Sequence, residues 1–227
     1  MIANMGHRMN RQAVIFDLDG TLLDTLDDLA DSANHVLAQH GLPTHPVDAF
    51  RQFIGEGVGV LIRRMLPKDH RDPQTTAQIA VAYRQEYGRR WNAKTKPYPG
   101  IAELLDALAA RGIRTAVLSN KPDEFTQMCV GGLLGSWTFD VVVGHHDGIP
   151  RKPDPAAALQ IAARWRLAPA EIAYVGDTAT DMQTAVAAGM FPVGVLWGFR
   201  PGEELQANGA AVLLTRPAEL LPFLTDG

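Results

Sequence analysis

Short, β-rich apolar runs, each followed by a turn and then by a helical pattern, recur along the chain and leave few folds open to it. Ala13-Val-Ile-Phe16, Thr115-Ala-Val-Leu118, Val141-Val-Val143, Ile172-Ala-Tyr-Val175 and Val193-Gly-Val-Leu196 are almost continuously apolar. A strand with one wet face alternates apolar and polar residues, whereas a strand apolar throughout is covered on both sides, as parallel strands are. Helical patterns fill the spaces at Ile101 to Arg111, Pro155 to Arg166, Asp181 to Ala188 and Pro217 to Leu224. Gly112 and Gly189 stand where a helix end favours glycine. The alternation predicts an open α/β parallel sheet with right-handed crossovers and helices on both faces.

One interval breaks the rhythm. From about Thr25 to Asn92 there is no strand-like run, only helical patterns at Leu26 to His40, Val47 to Ile54, Val58 to Met65 and Pro73 to Trp91. Gly41-Leu42-Pro43, Gly55-Glu56-Gly57 and Pro67 separate them. The expected organisation is a sheet core from residues 1–24 and 93–227, with residues 25–92 as an inserted all-helical domain and Lys94 to Gly100 as the return linker. The net charge of −4 and the absence of dense Lys/Arg runs argue against nucleic-acid or membrane-surface binding, yet leave a locally positive site for a small anion possible. Cys129 is the only cysteine, and no stretch approaches the ~20 apolar residues of a membrane span. The expectation is a soluble, cytoplasmic protein, monomer or homodimer, with residues 1–11 as a loose tail and Met5 and Met9 as alternative starts.

In open α/β sheets, ligands gather outside the carboxyl ends of the strands. There the sequence offers Asp17-Leu18-Asp19-Gly20-Thr21, Ser119-Asn120-Lys121, Arg151-Lys152-Pro153-Asp154-Pro155 and Gly176-Asp177-Thr178-Ala179-Thr180-Asp181. Asp17, Asp19 and Asp177 at one rim would repel one another unless a hard divalent cation joined them, and an all-oxygen donor set suits Mg²⁺ rather than zinc. A carboxylate can attack phosphorus, and a second one two residues on can move the proton. Ser119 and Lys152 can hold phosphoryl oxygens, and Gly20 permits a tight turn.

The four segments, in this order, resemble the motifs of the haloacid dehalogenase-type phosphatases, and the likeness spans almost the whole chain. That resemblance implies a Rossmann-like core with an inserted helical cap. It implies Asp17 as nucleophile and Mg²⁺ ligand, Asp19 as acid/base and, through its backbone carbonyl, a second ligand, and Asp177 as the last acidic ligand. Asp181 would support the metal site, and Ser119, Asn120 and Lys152 would bind phosphate. Asp17 to Thr25, Ser119 to Lys121, Arg151 to Pro155 and Val195 to Phe199 resemble the phosphoglycolate phosphatase branch, whose substrate is a small phosphorylated metabolite. A sugar-phosphate mutase, a phosphatase for another metabolite or pyrophosphate, and a carbon–halogen hydrolase are alternatives, the last disfavoured by Asp19 and Asp177.

Other features have plainer readings. His145-His146-Asp147 reads as a surface or gate loop, Cys129 as a core residue, and Asp24, Asp27, Asp28 and Asp31 as helix-start charges. Asp181 could be the N-cap of the helix after it, and Arg63 or Arg64 could reach a substrate carboxylate.

Overall fold

The structure, a computed structural model, describes residues 11–225, so Met5, Met9 and nearly all of the expected tail lie outside the described residues. The chain runs β1 (Ala13–Phe16), β2 (Leu23–Asp24), α1 (Leu26–Gln39), α2 (Phe50–Phe53), α3 (Val58–Met65), α4 (Pro73–Arg90) and β3 (Lys96–Pro97). It continues through α5 (Ile101–Ala110), β4 (Arg114–Pro122), α6 (Asp123–Leu133), β5 (Val141–His145), α7 (Ala156–Trp165) and β6 (Ile172–Gly176). It ends with α8 (Ala179–Ala188), β7 (Phe191–Val195), α9 (Gly202–Ala207) and β8 (Val212–Leu214).

Six strands form one parallel sheet in the order β5-β4-β1-β6-β7-β8, which puts β1 between β4 and β6. Side chains alternate across a strand, so Val14 and Phe16 pack towards α5 and α6, through Leu104, Leu105, Leu108 and Val130. Ala13 and Ile15 pack towards α7 and α8, through Ile161, Trp165 and Ala185. Both faces are therefore covered, which explains why the strands read as unbroken apolar runs. The core is Rossmann-like.

The helical stretch α1–α4 buries a cluster of its own, with Leu29, Val36, Phe50, Ile62, Tyr83 and Tyr87 at its centre, and Phe125 and Phe199 of the sheet part join it. It leaves and returns through the short antiparallel pair of β2 and β3. Asp28 sits over that crossing. It is buried rather than solvated, and its carboxylate accepts from the Lys94 and Thr95 N–H groups at 2.9 and 2.8 Å and from Thr95 Oγ1 at 2.7 Å. α4 starts where Asp72 accepts from the Thr75 N–H and Pro73 fills the first helical position, both ordinary start signals.

Several elements differ from expectation. Val47 to Ile54 is a 3₁₀ turn followed by α2, and Pro217–Phe223 is 3₁₀, with Pro222 inside it. β8, α6 and α9 carry no strong pattern in the sequence. α6 runs unbroken through Gly131-Gly132, and the second glycine has a spatial reason: a Cβ on Gly132 would collide with the Trp91 ring.

Candidate active site

Asp17 follows the last residue of β1, and Phe16 pairs in register with Val117 on one side and Val175 on the other. The parallel ladders thus carry Asp17, Ser119 and Asp177 to the same edge. Lys152 arrives from the loop after β5. Asp17, Asp177 and Asp181 offer carboxylate oxygens within 4.8 Å of one another, all buried. Asp19 lies close by, but its carboxylate is not one of these three.

Glycine makes the crowding possible. Gly20 has φ +84°, and a Cβ there would collide with the Asp177 carboxylate. Cβ atoms on Gly176 and Gly198 would collide with Asp181 and Asp177 respectively. The Thr21 hydroxyl donates to Asp177 Oδ1 at 3.0 Å, and the Phe199 N–H to Oδ2 at 2.8 Å. Asp181 is not the N-cap of α8. That residue is Thr178, and Asp181 closes the capping box from the third helical position, accepting from the Thr178 N–H at 3.0 Å and its hydroxyl at 2.6 Å.

Lys152 bridges the cluster. Its Nζ donates to Asp181 Oδ1 at 2.7 Å and lies 2.9 Å from Asp17 Oδ1 in a close, buried ion pair. Burial would push the Lys152 ammonium down, but Asp17 and Asp181 outweigh it and hold it well above the usual lysine range. Burial pushes the Asp17 carboxyl up to about 7, with Lys152 opposing and Asp181 reinforcing. Asp177 is raised well above its ordinary value by burial, then by Asp181 and Asp17. One ammonium among three buried carboxylates leaves negative charge in excess. A hard cation with oxygen ligands fits that donor set and that deficit.

Asp17, Asp19, Ser119, Asn120 and Lys121 line a cavity, whereas Lys152, Asp177 and Asp181 are not among its lining residues. Ser119 is buried, and its Oγ accepts from the Lys121 N–H at 3.3 Å. The Asn120 side chain is committed to backbone: its amide donates to the Gly55 and Lys152 carbonyls at 3.1 Å each and accepts from the Lys152 N–H at 2.9 Å. It ties the sheet edge, the Lys152 loop and the helical insertion together. Leu29, Ile54, Val58, Leu61, Tyr83 and Tyr87 of the insertion form the opposite wall.

Sequence reasoning passed over Thr21, Lys121, Gly198 and the Phe199 N–H. Lys121 had a signal, a lysine continuing a buried strand, where an unpaired ammonium is not tolerated. Its Nζ donates to Asp19 Oδ1 at 2.8 Å. Arg63 and Arg64 do not line the cavity: Arg63 is exposed, and Arg64 pairs with Glu56 and donates to the Gln52 carbonyl. His145, His146 and Asp147 do not join the acidic group among the described residues, and the His146 ring meets its neighbour's carbonyl.

The chain matches the haloacid dehalogenase-like hydrolase family model over residues 14–195. It is 34% identical to a phosphoglycolate phosphatase of Thiobacillus denitrificans, covering 91% of this chain and 94% of that one. It is 35% identical to a phosphoglycolate phosphatase of Nitrosospira multiformis, with 86% and 87% covered. The crystal structure of a Lactobacillus delbrueckii subsp. bulgaricus protein, provisionally assigned as a phosphoglycolate phosphatase, superposes with a TM-score of 0.87 at 31% identity, over 93% of this chain and 97% of that one.

Proposed function

The chain belongs to the haloacid dehalogenase-like hydrolases, and from that premise we propose that it is a Mg²⁺-dependent phosphatase that converts 2-phosphoglycolate to glycolate and phosphate. The observation that carries the reading is the buried Asp17 carboxylate at the cavity wall, with the Lys152 ammonium 2.9 Å from its Oδ1.

In this reading an Asp17 oxygen attacks phosphorus as the bond from phosphorus to the ester oxygen breaks. The departing oxygen takes a proton from Asp19, leaving glycolate and an aspartyl-phosphate. Water then attacks the phosphoryl group, gives its proton to Asp19, and the bond to Asp17 breaks. The Ser119 hydroxyl, the Asn120 backbone N–H and the Lys152 ammonium hold the phosphoryl oxygens. Asp17, Asp177 and the Asp19 carbonyl would hold Mg²⁺, with Asp181 supporting. Bound there, the cation would offset charge that would otherwise repel an incoming phosphate.

Residues 25–92 serve as a cap on a core made of 1–24 and 93–227. The apolar cap wall favours a small leaving group over a sugar, whose hydroxyls would find few partners there. The relatives named phosphoglycolate phosphatase support the choice of substrate. No described helix is long and apolar enough to cross a membrane; with the charge of −4, the reading is a cytoplasmic enzyme, monomer or homodimer, acting on free metabolites rather than on nucleic acid.

The test is phosphate release from 2-phosphoglycolate, sugar phosphates, pyridoxal phosphate and pyrophosphate, with and without Mg²⁺. Preferred, Mg²⁺-dependent release from 2-phosphoglycolate is expected. Interconversion of sugar phosphates without net phosphate release would overturn the hydrolase assignment.

A further inference from the structure

Among the described residues that line the cavity, Lys121 carries the one cationic side chain. Lys152 is already committed to Asp17 and Asp181. Lys121 Nζ donates to Asp19 Oδ1 at 2.8 Å and stands 4.6 Å from the centre of the Tyr87 ring. Tyr87 is in turn stacked on Tyr83 and meets Phe125 edge to face. The ammonium is thus clamped between the proposed acid of the core and an aromatic wall made largely by the insertion. An ammonium has three donors. One is used on Asp19 and one side faces the Tyr87 ring, which leaves donor capacity towards the cavity.

The position of that capacity constrains the leaving group. An ester oxygen taking a proton from Asp19 lies within hydrogen-bond distance of it. In a leaving group of the form O–CH₂–COO⁻, a carboxylate oxygen sits only about 3 Å from the ester oxygen, by ordinary bond lengths. The same substrate can therefore reach Asp19 with its ester oxygen and Lys121 with its carboxylate. A longer acid carries its charge further from the ester oxygen, and Leu29, Val58 and Leu61, which also line the cavity, offer it no donor.

We propose that Lys121 reads the carboxylate next to the scissile ester, so that the enzyme selects phosphate esters of short 2-hydroxy acids. This rests on the phosphatase reading above and assigns its selectivity to one residue. The Asp19 contact and the Tyr87 face place Lys121, and the apolar wall penalises an anion that fails to meet it.

The experiment compares kcat/KM for 2-phosphoglycolate with that for its neutral amide, phosphoglycolamide, in the wild type, Lys121→Met and Lys121→Arg. A ratio taken within one preparation does not depend on the fraction of protein folded. The wild type is expected to prefer the acid by about 10–100-fold, the range of a charge-assisted hydrogen bond. That ratio should collapse towards unity in Lys121→Met and partly return in Lys121→Arg, although both substrates slow in Lys121→Met because Asp19 loses its partner. A Lys121→Met enzyme that keeps the wild-type ratio overturns the proposal while leaving the substrate assignment intact. A wild type that hydrolyses other phosphate esters but does not distinguish acid from amide overturns the phosphoglycolate reading, and this proposal with it.

Discussion

Burial alone would keep the Asp17 carboxyl protonated to unusual pH, and the Asp181 charge adds to it, so that Lys152 brings it only to about 7. In the metal-free chain Asp17 therefore holds a proton, between about pH 4 and about pH 7, that the unfolded chain has already released. Stability must fall as pH rises through that window. Calorimetry on the metal-free protein should show a melting temperature that declines from about pH 5 to about pH 7.5. The stabilisation by added Mg²⁺ should be larger at the higher pH, because a cation competes with that proton. Equal Mg²⁺ shifts at both values would place the cation away from Asp17. Asp17→Asn should reduce phosphate release to background with an unchanged circular dichroism spectrum, and release retained in that variant would remove Asp17 from the nucleophile role. Asp19→Asn should cost about 10²–10⁴-fold in kcat, the usual worth of a proton-transfer group.

At the scale of elements, α8 shows how a helix start can also serve a site. Thr178 caps it through a buried hydroxyl, and the partner in that capping box is Asp181, which also holds Lys152. Thr178→Ala should therefore cost about 1–2 kcal/mol of stability in urea unfolding and also slow turnover; a variant destabilised but catalytically normal would separate the cap from the site. The parallel strands were legible in the sequence because burial on both faces removes polar residues from them. The acids were legible because each follows such a run. Other features could not be read that way. Gly131-Gly132 hides α6, and the feature that demands glycine at 132 is the Trp91 ring, forty-one positions earlier in the chain. The Asn120 side chain looks like a phosphate ligand, but its partners are main-chain groups of Gly55 and Lys152, which have no signature in residue type. Asp28 reads as one of several helix-start acids, and only the return of the chain at Lys94 and Thr95 shows that it is buried.

Across the whole molecule, one group of polar ties between the insertion and the sheet part gathers at Arg51 to Gly55. The Arg51 guanidinium donates to the Gly198 carbonyl at 3.1 Å, Arg200 to the Ile54 carbonyl at 3.0 Å, and Asn120 to the Gly55 carbonyl. Gly198 is also the residue that admits Asp177, so the same loop holds the acid and receives the insertion. Combined Arg51→Ala and Arg200→Ala should speed amide exchange in residues 51–57 while leaving β1, β4 and β6 protected. Uniform acceleration across the sheet would mean that the two parts open as one unit.

The central place of β1 has a consequence for the birth of the protein. Its neighbours are Arg114–Val117 and Ile172–Val175, so one edge of the strand stays unpaired until the second of them exists. At about 5–20 residues per second, a ribosome needs roughly 8–30 s to go from Phe16 to Ile172. Until then an apolar strand with Asp17 at its end has at least one edge with nothing to pair with. The proposed nucleophile is among the first residues of the site to be made and among the last to be built in, so a chain cut short before β6 is expected to be both inert and sticky.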